Sequence, residues 1–105
     1  MRAQKTLGAL NDELPLNISD SYSEEGVIDI SGTFTATLVV EGSADGVTYR
    51  ALAMSPVAGG AAVASVTAPG AWRVDFGGAK AARVRVSAYT SGSAVAQAAV
   101  SRKAA

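Results

Sequence analysis

Thr33-Phe34-Thr35-Ala36-Thr37-Leu38-Val39-Val40-Glu41 decides the fold class. Phe34, Ala36, Leu38 and Val40 alternate with three threonines and Glu41. Successive side chains of a strand point to opposite faces, so this stretch reads as a strand with one apolar and one polar side. Working outward, the same period of two recurs over residues 16–19, 26–31, 48–54, 61–67, 71–76, 82–89 and 94–101. The punctuation between them is Ser31-Gly32, Gly42-Ser43-Ala44-Asp45-Gly46, Gly59-Gly60, Pro69-Gly70, Gly77-Gly78 and Ser91-Gly92-Ser93. Turn signals at intervals of about 8–12 residues, with no helical pattern among them, predict an all-β antiparallel sandwich of about eight strands and exclude βαβ units. Alternation places Phe34, Leu38, Val40, Trp72, Val74, Phe76, Val84 and Val86 in the core, with Arg73, Arg83 and Arg85 outside. Asp45-Gly46 predicts a positive φ at Gly46.

Residues 1–15 lack this regularity and end at Leu14-Pro15. They read as an N-terminal arm preceding a sandwich domain over residues 16–105. Leu7, Leu10 and Leu14 have helical spacing, weakened by Gly8 and Asn11, and the expectation is that they dock on a partner.

At 105 residues the chain is one domain's worth, and 49% hydrophobic residues supply a core. It has no Cys and no His, which removes disulfides, thiol nucleophiles, imidazole-based triads and the usual zinc sites. No apolar run reaches the roughly 18 residues that span a membrane, and the stretch around Leu7 and Leu10 is too short for a secretion signal. Nine bases balance nine acids, which disfavours nucleic acid as a partner. That neutrality hides a polarity: residues 1–45 hold eight acids and two bases, net −6, and residues 46–105 seven bases and one acid, net +6. Two readings stand: pairing across strands within the molecule, or contacts between oppositely charged patches of neighbouring copies.

Arg83-Val84-Arg85-Val86 puts two guanidinium groups on one strand face, and Arg73 on a neighbouring strand extends them to a three-arginine surface, with Tyr49, Arg50 or Tyr89 at its edge, that reads either as a site for a carboxylate, a sugar or an acidic partner or as a solvated outer face with Asp75 as counterion. Glu24-Glu25 with Asp20, or Asp45 with Glu41, are the candidate carboxylate pairs; adjacent turn residues do not face each other across a substrate, so these read as solvated loop residues. No calcium-ligand spacing is present. The 22 alanines are unusual in a strand-rich chain, and Ala94, Ala96 and Ala98 read either as compositional background or as a flat face for another chain.

The segments Glu41-Gly42-Ser43-Ala44-Asp45-Gly46-Val47-Thr48-Tyr49-Arg50-Ala51-Leu52, Pro69-Gly70-Ala71-Trp72-Arg73-Val74-Asp75 and Ala82-Arg83-Val84-Arg85-Val86-Ser87-Ala88-Tyr89-Thr90-Ser91-Gly92-Ser93 resemble the hairpins of small β-sandwich virion proteins of tailed bacteriophages and of discoidin-type, galactose-binding-like sandwiches. The resemblance covers about residues 26–101. It implies a jelly-roll or galactose-binding-like topology and a structural role in a virion, and it supplies no catalytic residue and no cofactor. The expected function is therefore non-enzymatic: a capsid decoration or minor head protein, made in the host cytoplasm, that binds the major capsid protein in many copies and forms a homo-oligomer. Its alternative is a tail or baseplate component that recognises surface carbohydrate. Expected partner-binding residues are Leu7, Leu10 and Leu14 in the arm and Arg73, Arg83 and Arg85 on the sheet.

Overall fold

A computed structural model describes residues 2–16, 24–77 and 79–102, and its elements are all strands. They are β1 (Arg2–Leu7), β2 (Glu13–Leu16), β3 (Glu24–Ser43), β4 (Arg50–Ala51), β5 (Ser55–Pro56), β6 (Gly70–Asp75) and β7 (Ala81–Arg102). All pair antiparallel in one sheet of order β1-β7-β3-β6-β5, with β2 on β7 and β4 on β3 off that path. The frame is the long β3/β7 ribbon, in register from Glu24↔Arg102 to Ser43↔Ala81.

This single sheet folds over on itself into the expected all-β, sandwich-like architecture. One half consists of β1, residues 94–102 of β7, residues 24–31 of β3, β6 and β5. The other consists of β2, residues 81–86 of β7, residues 38–43 of β3 and β4. Ile28, Ile30, Val74, Ala96 and Val100 of the first half share one buried cluster with Leu14, Leu38, Val40, Val84 and Val86 of the second.

The fold-over explains the departure from eight short strands. Ser31-Gly32 and Ser91-Gly92-Ser93 do not end strands; they bend them. Gly32 and Gly92 lie at φ 103° and 82°, diagonally across the ribbon from each other, where Gly32 pairs with Ala94 and Phe34 with Gly92. A Cβ on Gly92 would collide with the backbone of Thr33 and Phe34, and one on Gly32 would sit 2.7 Å from the Ser93 carbonyl oxygen. Register shifts at Thr35/Ala36 and Thr37/Leu38 add two bulges beside them, the usual means of bending a strand without ending it. The two shifts offset each other, so even-numbered residues of both long strands face inward on either side of the bend, while within it Ala36 pairs with Tyr89 and Thr37 with Ala88.

Two further expected strands are reduced. Residues 48–54 contribute only β4 and a bridge at Met54, and residues 61–67 only bridges, Met54↔Val63 and Leu38↔Val66. Strand 16–19 keeps Leu16 as the end of β2; its remainder, like Asp20, lies outside the described residues. The expected core holds, with Phe34 and Trp72 at its margin. Gly46 has φ 83°, as Asp45-Gly46 requires.

The N-terminal segment is the main correction. It is not an arm: β1 pairs with residues 94–99 of β7 and β2 with residues 82–85. Leu7 and Leu14 are buried at 1% and 5% exposure, leaving only Leu10, at 56%, free in the connecting turn. Leucines that alternate with polar residues look helical at i, i+3, i+7, yet in two short strands joined at Asn11 (φ 67°) they fill the end of the core. The alanine face is likewise internal. Ala94, Ala96 and Ala98 are buried, packing small side chains where Leu7, Ile28 and Ile30 supply the volume.

Candidate functional site

The outer face of the half built on β2, the first part of β7 and the last part of β3 carries a four-residue ionic cluster. Alternation turns Arg83 and Arg85 outward between buried Val84 and Val86. Register then sets Glu41 of β3 beside Arg83 on one flank of β7 and Glu13 of β2 beside Arg85 on the other. Arg83 donates Nε–H to Glu41 Oε1 at 2.8 Å and Nη1–H to Glu13 Oε2 at 2.9 Å. Arg85 donates Nε–H to Glu41 Oε1 at 2.9 Å and Nη2–H to Glu41 Oε2 at 3.2 Å, while its Nη1 reaches Asn11 Oδ1 at 3.0 Å. The Tyr49 ring lies under the Arg83 guanidinium, 4.0 Å from centroid to Cζ.

Both Glu41 oxygens are thus occupied, and the side chain is only about 10% exposed. The Arg85 hydrogen bonds, joined by those from Arg83, hold its carboxyl below the ordinary value in spite of burial. Glu41 reciprocally raises Arg85. At neutral pH this carboxylate is ionised and both its oxygens are engaged by the two arginines, so neither is open to a substrate proton or to attack on a carbon. The cluster fastens β2, β7, β3 and the β3–β4 loop together, so pairing within the molecule is what the charge polarity produces here.

The β3–β4 loop is organised by Asp45. Its Oδ1 accepts from the Val47 and Thr48 amides, both at 2.8 Å, and from Ser43 Oγ at 2.9 Å, while Ser43 Oγ accepts from the Gly46 amide at 2.8 Å. Those bonds, led by Thr48, bring its carboxyl down to about 2. Asp45 therefore shapes a turn and forms no pair with Glu41. Among the described residues no group of three or more His, Cys, Asp or Glu is arranged to hold a metal ion.

Arg73 does not join Arg83 and Arg85. It sits on β6, paired with Val27 on the opposite half of the sheet. There it belongs to a second surface, a shallow trough across β1, β7, β3 and β6 with Val27 and Ala99 as its floor, Arg2 and Arg73 at its two ends, and Asp29 and Gln97 along one side. Of the expected partner-binding residues, then, Leu7 and Leu14 are core, Arg83 and Arg85 are held in the cluster, and Leu10 and Arg73 remain exposed. Tyr49 does stand at the edge of the arginine pair, as expected, whereas Glu13 and Glu41 are the members that the sequence did not join to the arginines. The opposite charge of the chain's two parts was the signal that pointed to them.

Fold and site define a small all-β sandwich-like domain made by folding one sheet, with its central polar side chains bonded to one another. A solved structure shares this fold over nearly its whole length: the crystal structure of SPBc2 prophage-derived protein YomS superposes with a TM-score of 0.67, covering 96% of each chain at 16% identity. No protein-family model matches the sequence, and no curated protein does.

Proposed function

We propose that this protein is a non-enzymatic structural component of a tailed-phage virion, a capsid decoration or minor head protein that coats the outer shell in many copies. The observation that carries this reading is the likeness of fold to a prophage-derived protein over 96% of each chain. The cluster supports it chemically, because the groups best placed for catalysis are consumed in holding strands together. With β1 and β2 built into the sheet, attachment to the major capsid protein runs through the body of the domain rather than through a flexible arm. The test is quantitative mass spectrometry of gradient-purified particles. The protein is expected to co-purify at a copy number tied to that of the major capsid protein. Absence from washed particles overturns the proposal, and a few copies confined to isolated tails overturns the head assignment in favour of a tail or baseplate role.

A further inference from the structure

The two outer faces of the folded sheet differ in how they treat charge. On one, Glu41, Glu13, Arg83 and Arg85 satisfy each other. On the other, Arg2, Arg73, Glu25 and Asp29 are exposed and form no ion pair among the described residues. Two bases and two acids around a floor of Val27, itself 39% exposed, and Ala99 make that trough neutral but strongly patterned. A partner of one sign would favour a face of the opposite sign. A balanced, mixed face suits a copy of itself, since an isologous contact needs both halves of each pair on one surface.

The edges of the sheet close off the other route to self-association. β1 carries exposed Lys5 at an inward-facing position, while β2 and β5 contain Pro15 and Pro56. Such residues blunt strand-to-strand addition.

We propose that the Arg2–Arg73 trough is a self-association surface on which two copies pack face to face about a two-fold axis. The register supplies the geometry. Arg2, Ala99, Val27 and Arg73 form one row across the strands, and Gln4, Gln97, Asp29 and Ala71 form the next. An axis parallel to these rows and midway between them lays each row over the other row of the second copy. Arg73 of each copy then comes within one strand spacing, about 4.8 Å sideways, of Asp29 of the other, and Arg2 lies over Gln4. Strands of the two copies run nearly parallel or antiparallel, the aligned arrangement in which sheets stack. Four strands by two or three rows cover roughly 300–400 Å² per copy, well under a standard interface, so the isolated dimer is weak. Many copies held side by side would raise the effective concentration and so favour it.

The test needs only purified protein and does not depend on where the protein acts, so its failure is separate from failure of the virion reading. Sedimentation equilibrium of the full chain is run from micromolar to millimolar, at low and high salt. Salt-sensitive dimerisation is expected. R73E and D29R, both at exposed positions, should keep the melting temperature and each weaken dimerisation at least tenfold, because each places like charges opposite at two symmetric points. An equimolar mixture of the two variants should dimerise again, since R73E then supplies a carboxylate to the D29R guanidinium and the native pair forms at the symmetric point. A chain that stays monomeric throughout, a dimer indifferent to either substitution, or a mixture that fails to recover would each overturn the proposal.

Discussion

Replacing Glu41 with Gln keeps the shape of the side chain and removes its charge. Three donors now point at Glu41: Nε of Arg83 and Nε and Nη2 of Arg85. Breaking a buried ion pair at one end costs about 3–5 kcal/mol where the surviving charge is sealed from water. Here the two arginine side chains are each about a quarter exposed, and Arg83 keeps Glu13. Water and the remaining partner recover part of that cost, so about 2 kcal/mol is the expected loss at neutral pH, or about 10 °C in melting temperature for a domain of this size. The pH dependence makes the test specific. Glu41 titrates below its ordinary value of 4.5 in the folded state, so its stabilisation is complete above that value and disappears as pH falls through the folded-state value. Thermal unfolding of wild type and E41Q from pH 7 down to pH 2 should show a gap that closes on acidification. A variant as stable as wild type at pH 7, or a gap of constant size down to pH 2, refutes the reasoning.

Gly92→Ala should destabilise by about 2 kcal/mol or more, read from urea unfolding, because it adds a side chain at φ 82° against the backbone of Thr33 and Phe34. Leu7→Ala should cost about 3 kcal/mol by the same assay, and deleting residues 2–14 should prevent folding, visible as loss of dispersion in amide NMR spectra, since β1 and β2 cover the β7 flank of the core. Asp45→Ala should speed hydrogen exchange at the Val47 and Thr48 amides, and in wild type that protection should persist on acidification to about pH 2 before failing.

Alternation in residues 33–41 and 82–89 was legible because a half-buried strand imposes period two whatever surrounds it. The turn at Asp45-Gly46 was legible because its chemistry is local. Gly32 and Gly92 were misread for an instructive reason: a glycine that ends a strand and one that bends a continuous strand carry the same local signal, and only the second glycine, diagonally across the ribbon, distinguishes them. Leu7 and Leu14 could not be placed from spacing, since their burial depends on strands some 70 to 90 residues later. Arg83 and Arg85 were correctly set on an outer face, but their partners come from β2 and β3, and register across a sheet is a long-range property. Arg73 was misassigned to their surface on the same account. The segregation of acids and bases along the chain did carry the information that strands of opposite charge would meet.

The virion assignment is tested most directly by electron cryomicroscopy of particles with and without the gene for this chain. The difference map should show repeated density on the outer shell that fits a body of 40 × 31 × 22 Å, at symmetry-related positions of the capsid lattice. Identical reconstructions of the two particles, with full heads and tails in each, would contradict a structural role in the virion.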